Sequence, residues 1–113
     1  MFFKDQDIQF TTVDSNTTRK VLAHSDQIMY AKVFFAKAGE GEIPLHCHVH
    51  EQVTYVLKGS FQFMIYDGVT KDVQIVKEGD SIHFPSNVLH GCIPLEDDGI
   101  LLDAFTPARA DFL

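Results

Sequence analysis

The sequence predicts an all-β protein, either a sandwich or a small barrel. Its 113 residues fit one domain, which we expect to span residues 1–113. Short apolar runs are separated by Gly, Asp and Pro, and no long stretch repeats its apolar residues with the helical period. Within Ser60–Tyr66, Phe and Ile alternate with Gln, Met and Tyr, which is the pattern of a half-buried strand.

Each predicted strand is bounded by residues that favour turns. The strands are Lys20–Ala23, Ile28–Ala36, Val53–Leu57, Ser60–Tyr66, Val73–Val76, Ser81–Phe84, His90–Pro94 and Ile100–Phe105. One of the breaks between them is Ala38–Gly41, and Asp67-Gly68 suits a tight hairpin. The C-terminal segment Thr106–Leu113 is either a short helical turn or an extended tail.

Charge and cysteine content exclude several kinds of partner. The net charge is −7, so the chain repels phosphate backbones, and we expect neither nucleic acid nor an anionic membrane as a partner. The first ten residues lack the apolar core of a signal peptide, and no apolar run approaches the length of a membrane span. Two cysteines are too few for a disulfide framework. We therefore expect a cytoplasmic protein.

The segment Leu45–Gln52 is the most informative part of the chain. It holds three of the six histidines within five residues. Neutral imidazole is the commonest protein ligand for Zn, Fe, Ni and Cu. In an extended strand His46 and His48 point to the same face, so both nitrogens can reach one ion.

Geometry limits which other residues of this segment can join the site. A straight strand from His46 to Gln52 would span roughly 20 Å, whereas ligands lie about 2 Å from an ion. If Gln52 also binds, the chain must turn between Val49 and Glu51. His50 would then lie in the turn and miss the metal. It could be a plain turn residue, a hydrogen-bond partner of a metal ligand, or a residue that contacts the substrate.

The segment Gly79–His90 adds His90, and together the two segments resemble the paired motifs of cupins. The first motif runs from Gly41 through the two histidines and Gln52 to Gly59. It has one residue fewer than usual before the first His, and Gln in place of the usual Glu. In the second motif Asn87 replaces a usual Gly, and Asn tolerates the same left-handed turn. The resemblance implies a single-domain cupin, a jelly-roll barrel or double-stranded β-helix, that binds one divalent metal.

The C-terminal segment supplies candidate catalytic groups. Asp103 and Phe105 share one strand face, and Arg109 follows after a Pro turn. This tail and the His-rich segment resemble the KdgF-type cupins of pectin and alginate degradation. Those proteins promote ring opening of 4,5-unsaturated uronate monosaccharides to the linear 5-keto-4-deoxyuronate. The resemblance implies that the same three residues lie in the active site.

The resemblance also implies a set of metal ligands. They are His46, His48, Gln52 and His90. Three His and one Gln leave the full charge of the ion on the site, which favours an anionic ligand such as a carboxylate. The ion is Zn, Ni, Fe or Mn, since such sites accept several first-row metals. The expected partners are a small acidic sugar as substrate and, by resemblance, a second copy of the chain in a homodimer.

Other functions fit the same motifs. The chain could be a different metal cupin, such as a dioxygenase or a sugar isomerase, or a non-enzymatic cupin that binds a small acid or sugar. Asp103 and Arg109 could form a surface ion pair that pins the tail, and Phe105 could belong to the core.

Three further residues could contribute either to the site or to the structure. Arg19 either binds substrate or forms a structural ion pair. Cys47 faces away from the neighbouring histidines, so we expect a buried thiol rather than a ligand. Cys92 shares parity with His90 and could approach the pocket.

Overall fold

A computed structural model describes residues 1–39 and 43–113, and only the backbone of residues 43–45. In that part of the chain short strands dominate, as predicted, and two one-turn 3-10 helices lie at Asp5–Asp7 and Ala110–Phe112. The strands are β1 Thr11–Thr12, β2 Thr17–His24, β3 Met29–Phe35, β4 Ile43–His46, β5 Glu51–Lys58, β6 Ser60–Tyr66, β7 Lys71–Lys77, β8 Ser81–Phe84, β9 Leu89–Pro94 and β10 Gly99–Thr106. The all-β prediction is confirmed.

The strands form two antiparallel sheets. The larger has the order β1-β2-β3-β10-β5-β8, and the smaller has the order β4-β9-β6-β7. Residues of both sheets line one internal cavity, so side chains that are distant in sequence meet between them. Strand β10 has a central position, because it pairs with β3 on one side and with β5 on the other.

Phenylalanine dominates the core, as its alternation along β6 predicts. The core cluster consists of buried residues from both sheets: Phe35, Val56, Phe61, Phe63, Phe84, Cys92 and Leu101. The rings of Phe35 and Phe61 meet edge to face, with centroids 5.1 Å apart. Phe35, Phe63 and Leu101 also line the cavity, so the core forms part of its wall.

The sequence prediction missed strands β1 and β4 and placed the start of β2 three residues too late. Strand β1 has only two residues, and β4 contains Pro44, which argues against a strand except at a sheet edge, where β4 lies. Strand β2 starts at Thr17, before the predicted Lys20, because the Thr17 side chain is only 1% exposed despite its polar neighbours. Of the predicted break at residues 38–41, Ala38 and Gly39 form a turn, and Glu40 and Gly41 lie outside the described residues.

The predicted turns at Asp67 and Asn87 are confirmed. Strands β6 and β7 form a hairpin, although β7 begins at Lys71 rather than at Val73. Asn87 has a φ of 64°, the left-handed conformation expected there. The tail takes the first of its two alternatives, a short helical turn. No helix within the described part of the chain is long and apolar enough to cross a membrane.

Candidate functional site

A cavity of about 340 Å³ lies between the two sheets. Most of the residues singled out from the sequence line it. These are Arg19, His46, Gln52, His90, Cys92, Asp103, Phe105 and Arg109. Phe112, from the C-terminal turn, lines it as well. The register of the strands explains how these residues come together.

Three histidines form the polar centre of the site. His46 on β4 and His90 on β9 are direct partners across the strand pair, and their ring centroids are 4.4 Å apart. His48 follows the end of β4, with its ring centroid 5.0 Å from that of His90. One ring nitrogen from each of the three lies within 4.8 Å of the others. A single ion could therefore bind all three.

The Nδ1 atoms of His48 and His90 both face backbone carbonyl oxygens, which indicates the ring nitrogen that is available to a metal. His48 Nδ1 lies 2.8 Å from the carbonyl oxygen of His50, and His90 Nδ1 lies 3.0 Å from that of Val88. If each Nδ1 carries a proton and donates it, each Nε2 has a free lone pair. Burial and the neighbouring imidazoles lower the pKa of His90 to about 4, so this ring is neutral at pH 7.

Gln52 completes a donor set that fits a cation. The chain bends at Val49 and His50 before β5 begins, which brings Gln52 Oε1 to 3.0 Å from His48 Nε2. Gln52 Nε2 donates to Thr54 Oγ1 at 2.9 Å, so the amide oxygen is the atom that faces the imidazole. With His48 protonated on Nδ1, two lone pairs then face each other, an arrangement that a cation between them would stabilise. The residues present therefore fit a divalent metal.

Asp103 lies beside this donor set in the cavity wall. Its register partner on β5 is Thr54, whose hydroxyl donates to Asp103 Oδ1 at 2.6 Å. Burial raises the pKa of Asp103 to about 6, against the opposing effect of hydrogen bonds from Thr54 and Gln52. A carboxyl group with such a pKa can both donate and accept a proton near neutral pH.

Arg109 does not form an ion pair with Asp103, so that structural alternative is absent from the described residues. Arg109 instead forms a bidentate pair with Asp111, in which Nε and Nη2 donate at 3.0 and 2.8 Å. Its guanidinium also lies over two rings, 4.3 Å from the centroid of Phe112 and 5.4 Å from that of Phe105. The C-terminal turn therefore closes one side of the cavity.

Phe105 satisfies both of its interpretations. It is only 3% exposed, as a core residue would be, and it also lines the cavity. Its register partner on β5 is Gln52, and its ring centroid lies 5.9 Å from that of His48. The ring can therefore contact a ligand bound beside the histidines.

The cysteines and His50 differ in how far they approach the site. Cys92 is buried and lines the cavity. Cys47 is exposed because it follows the end of β4, which is an edge strand. The prediction of a buried thiol was therefore wrong. His50 lies in the bend, as expected if Gln52 turns toward the histidines. Its Nδ1 is buried and has no hydrogen-bond partner among the residues that the structure describes.

Sequence reasoning missed three residues of the site. Thr54 alternates with Gln52 and Val56 along the inward face of β5, and this buried alternation was the available signal. Asp111 and Phe112 had no such signal, because they contribute through ion-pair and ring contacts that depend on the path of the tail.

Comparison with known proteins now assigns the fold. Residues 32–102 match the Cupin domain family. The chain is 36% identical over 112 residues to the pectin degradation protein KdgF of Dickeya dadantii (strain 3937), covering 99% of this chain and 97% of that protein.

Three solved structures extend the comparison. KdgF from a Halomonas species superposes with a TM-score of 0.88 at 28% identity, covering 100% of this chain and 98% of that chain. An RmlC-like cupin from Shewanella frigidimarina gives 0.86 at 33% identity, covering 99% and 95%. Bacillus subtilis oxalate decarboxylase matches with a TM-score of 0.84 at 19% identity, covering 98% of this chain and 30% of that one, and this similarity shows only a common fold. The chain therefore belongs to the cupin family, as its two motifs predicted.

Proposed function

We propose that this protein promotes ring opening of 4,5-unsaturated uronate monosaccharides to the linear 5-keto-4-deoxyuronate in pectin or alginate breakdown. The similarity to a pectin degradation protein over nearly the full chain supports this substrate class. One observation carries the proposed chemistry. The carboxyl group of Asp103, with a pKa raised to about 6, lies in the same cavity as the histidine cluster.

We further propose that one divalent ion, Zn, Ni, Fe or Mn, is held by His46, His48, Gln52 and His90. The proximity of the imidazole nitrogens and the orientation of the Gln52 amide support this ligand set. When bound, such an ion supplies Lewis-acid stabilisation of negative charge on a sugar oxygen. All four side chains are neutral ligands, so they leave the charge of the ion available to an acidic sugar.

The reaction is an isomerisation, and Asp103 is suited to move its proton. The hydroxyl proton on C1 is removed, the bond between C1 and the ring oxygen breaks, and C1 becomes an aldehyde. The ring oxygen is left as an enol oxygen on C5, and a proton added at C4 gives the ketone. Asp103 can accept the first proton as a general base and return one as a general acid. Thr54 holds the carboxyl group in place for both steps.

Phe105 and Arg109 contribute contacts with the substrate in this proposal. The ring of Phe105 offers an apolar surface for one face of the sugar. Arg109 uses Nε and Nη2 to hold Asp111, so its Nη1 lies outside that pair and can donate to the substrate carboxylate. Because Asp111 fixes the guanidinium, this donor is oriented before substrate arrives.

The test follows the loss of ultraviolet absorbance from 4,5-unsaturated galacturonate, relative to the spontaneous rate. The metal-loaded protein should accelerate the loss. Asp103→Asn should lower kcat by about 10²- to 10⁴-fold, the usual contribution of general acid–base catalysis, with its metal content unchanged. His83→Gln is the matched control, because His83 is exposed and bonds to Glu51 outside the cluster.

Three results would contradict the proposal. The absence of acceleration by protein with verified metal would exclude ring opening. Oxygen consumption with the substrate would favour a dioxygenase. Tight binding of the uronate without turnover would favour a non-enzymatic binding protein.

We also propose a homodimer that works in the cytoplasm. Met1 and Phe2 are fully exposed in the single chain, and apolar residues at the surface favour a partner. Neither cysteine forms a disulfide within the described residues, which suits a reducing compartment. A sedimentation mass of one chain would refute the dimer, and fractionation of cells would test the location.

A further inference from the structure

Arg19 lies in the cavity wall, and the proposed reaction leaves it without a role. It follows Thr17 on β2 by two residues, and both side chains line the cavity. Lys20, the next residue, points away and forms an ion pair with Asp5 at 3.0 Å. The two adjacent cations therefore lie on opposite faces of one strand.

Arg19 has no ion-pair partner among the residues that the structure describes. Its Nε is buried and has no hydrogen-bond partner within the described residues. Asp111 accepts from Nε and Nη2 of Arg109, and Asp103 accepts from Thr54. The structural ion pair considered for Arg19 is thus absent from the described part of the chain. A half-buried cation without an ion-pair partner among the described residues is costly, and an anion that enters the cavity would relieve that cost.

Stacking holds the Arg19 guanidinium in a fixed position. Its Cζ lies 3.6 Å from the ring centroid of Phe112, and Cζ of Arg109 lies 4.3 Å from the same centroid. Phe112 in turn meets Phe105 edge to face at 5.5 Å. Cation–π contact with a packed ring already restricts the guanidinium, so less conformational entropy is lost when a ligand binds. Two guanidinium groups beside one ring also favour an anionic ligand over a neutral one.

We propose that Arg19, together with Nη1 of Arg109, binds the carboxylate of the substrate and so gives the site its preference for acidic over neutral sugars. This inference rests on the proposed uronate substrate. Arg19 has free donors, whereas Arg109 has two of its nitrogens engaged by Asp111. A guanidinium with free donors can bind a carboxylate through two parallel hydrogen bonds.

The test compares Arg19→Gln with Lys20→Gln, which removes the same charge from the opposite face of β2. Binding of galacturonate and of galactose is measured by NMR titration, and KM and kcat are measured with 4,5-unsaturated galacturonate. Arg19→Gln should weaken galacturonate binding and raise KM by about 10- to 100-fold, as expected for lost hydrogen bonds to a charged group. Galactose binding and kcat should change little. Lys20→Gln should match the wild type in all four quantities.

The binding measurements test the role of Arg19 independently of the ring-opening reaction. If the wild-type protein binds galacturonate over galactose without catalysing ring opening, and Arg19→Gln abolishes that preference, the reaction is wrong and the role of Arg19 stands. If Arg19→Gln keeps the preference and the wild-type KM, the role of Arg19 is overturned. If Arg19→Gln does not fold, Arg19→Lys replaces it in the test, because lysine keeps the positive charge and lacks the planar guanidinium group. Wild-type affinity of Arg19→Lys for galacturonate would exclude the bidentate contact.

Discussion

Thr54 links the proposed metal ligand Gln52 to the proposed acid–base group Asp103. Its hydroxyl accepts from the Gln52 amide and donates to the carboxylate, and the residue is only 1% exposed. Thr54→Val keeps the shape and removes both hydrogen bonds. We expect a loss of about 1–3 kcal/mol in unfolding free energy, since two buried polar groups lose a partner. We also expect a lower kcat, because the carboxyl group is no longer held.

Thr54→Ser distinguishes positioning from packing. It restores the hydroxyl and lacks only the methyl group, so it should recover most of the wild-type kcat. Denaturant unfolding and the ultraviolet assay measure the two effects separately. If Thr54→Val retained wild-type kcat and stability, the hydrogen-bonded chain through Thr54 would have no function.

Individual site residues could be predicted from the sequence where their position depends only on neighbouring residues in the chain. The spacing of His46 and His48, and the need for a bend before Gln52, follow from strand geometry alone. The unpartnered state of Arg19 and the pairing of Arg109 with Asp111 depend on where the tail packs, and sequence spacing does not determine that. Resemblance to a family identified Asp103, and only the structure gave the cause of its raised pKa.

The β6–β7 hairpin gives a pH-dependent prediction at the scale of the element. Asp67 accepts hydrogen bonds from the backbone N–H groups of Thr70 and Val69, at 2.7 and 2.8 Å, and these bonds lower its pKa from the usual value of an aspartate. The stabilisation is therefore present above the unfolded-state pKa and is lost as the pH falls through the lower folded-state value. Asp67→Ala should have a lower thermal midpoint than wild type at pH 7, and this difference should shrink in strong acid.

Asp67→Asn is the matched control for the hairpin, because its amide oxygen can accept the same bonds without titrating. Its advantage over Asp67→Ala should not depend on pH. Thermal melts of the three proteins from pH 7 to strong acid test this. A constant difference between wild type and Asp67→Ala would show that the carboxylate does not stabilise the turn.

The ring of Phe61 lies so close to Gly99, the first residue of β10, that an added methyl group would have to displace it. A Cβ atom added at Gly99 would lie 2.7 Å from Cζ of Phe61, whose ring is fully buried. Gly99→Ala should therefore cost about 1–3 kcal/mol of unfolding free energy through overpacking. In a Phe61→Leu background, which shortens the facing side chain, the cost should be smaller. An equal cost in both backgrounds would assign the effect to the backbone rather than to this contact.

The elements that sequence patterns predicted best are those with a clear alternation. The bounds of β6 and β8 agree with the predictions, and β6 alternates large apolar and polar residues toward a buried face. Strand β4 has four residues and includes proline, so no local pattern identifies it, yet its pairing with β9 is what brings His46 beside His90.

At the scale of the whole molecule, the order of the strands is the least predictable feature. Neighbours such as β3 and β10, or β4 and β9, are far apart in the chain, and alternation says which face is buried without saying which strand is adjacent. The paired cupin motifs predicted the architecture because they identify a known arrangement of these strands.

That arrangement distributes the proposed metal ligands over both sheets. His46 and His90 belong to the smaller sheet, Gln52 belongs to the larger one, and His48 lies in the connection between β4 and β5. A bound ion would therefore connect the two layers. Because the ligands come together only in the folded chain, metal binding should stabilise the fold as a whole.

The metal should accordingly raise the thermal midpoint of the protein, and a chelator should reverse the rise. Free ion at about 100 times its Kd adds about 2.7 kcal/mol, which corresponds to roughly 10 °C for a chain of this size. His48→Ala removes one ligand and should abolish most of the shift. His83→Ala removes an exposed histidine outside the cluster and should keep it. Equal shifts in the two variants would mean that the ion binds elsewhere, because a site between the sheets requires His48 and not His83.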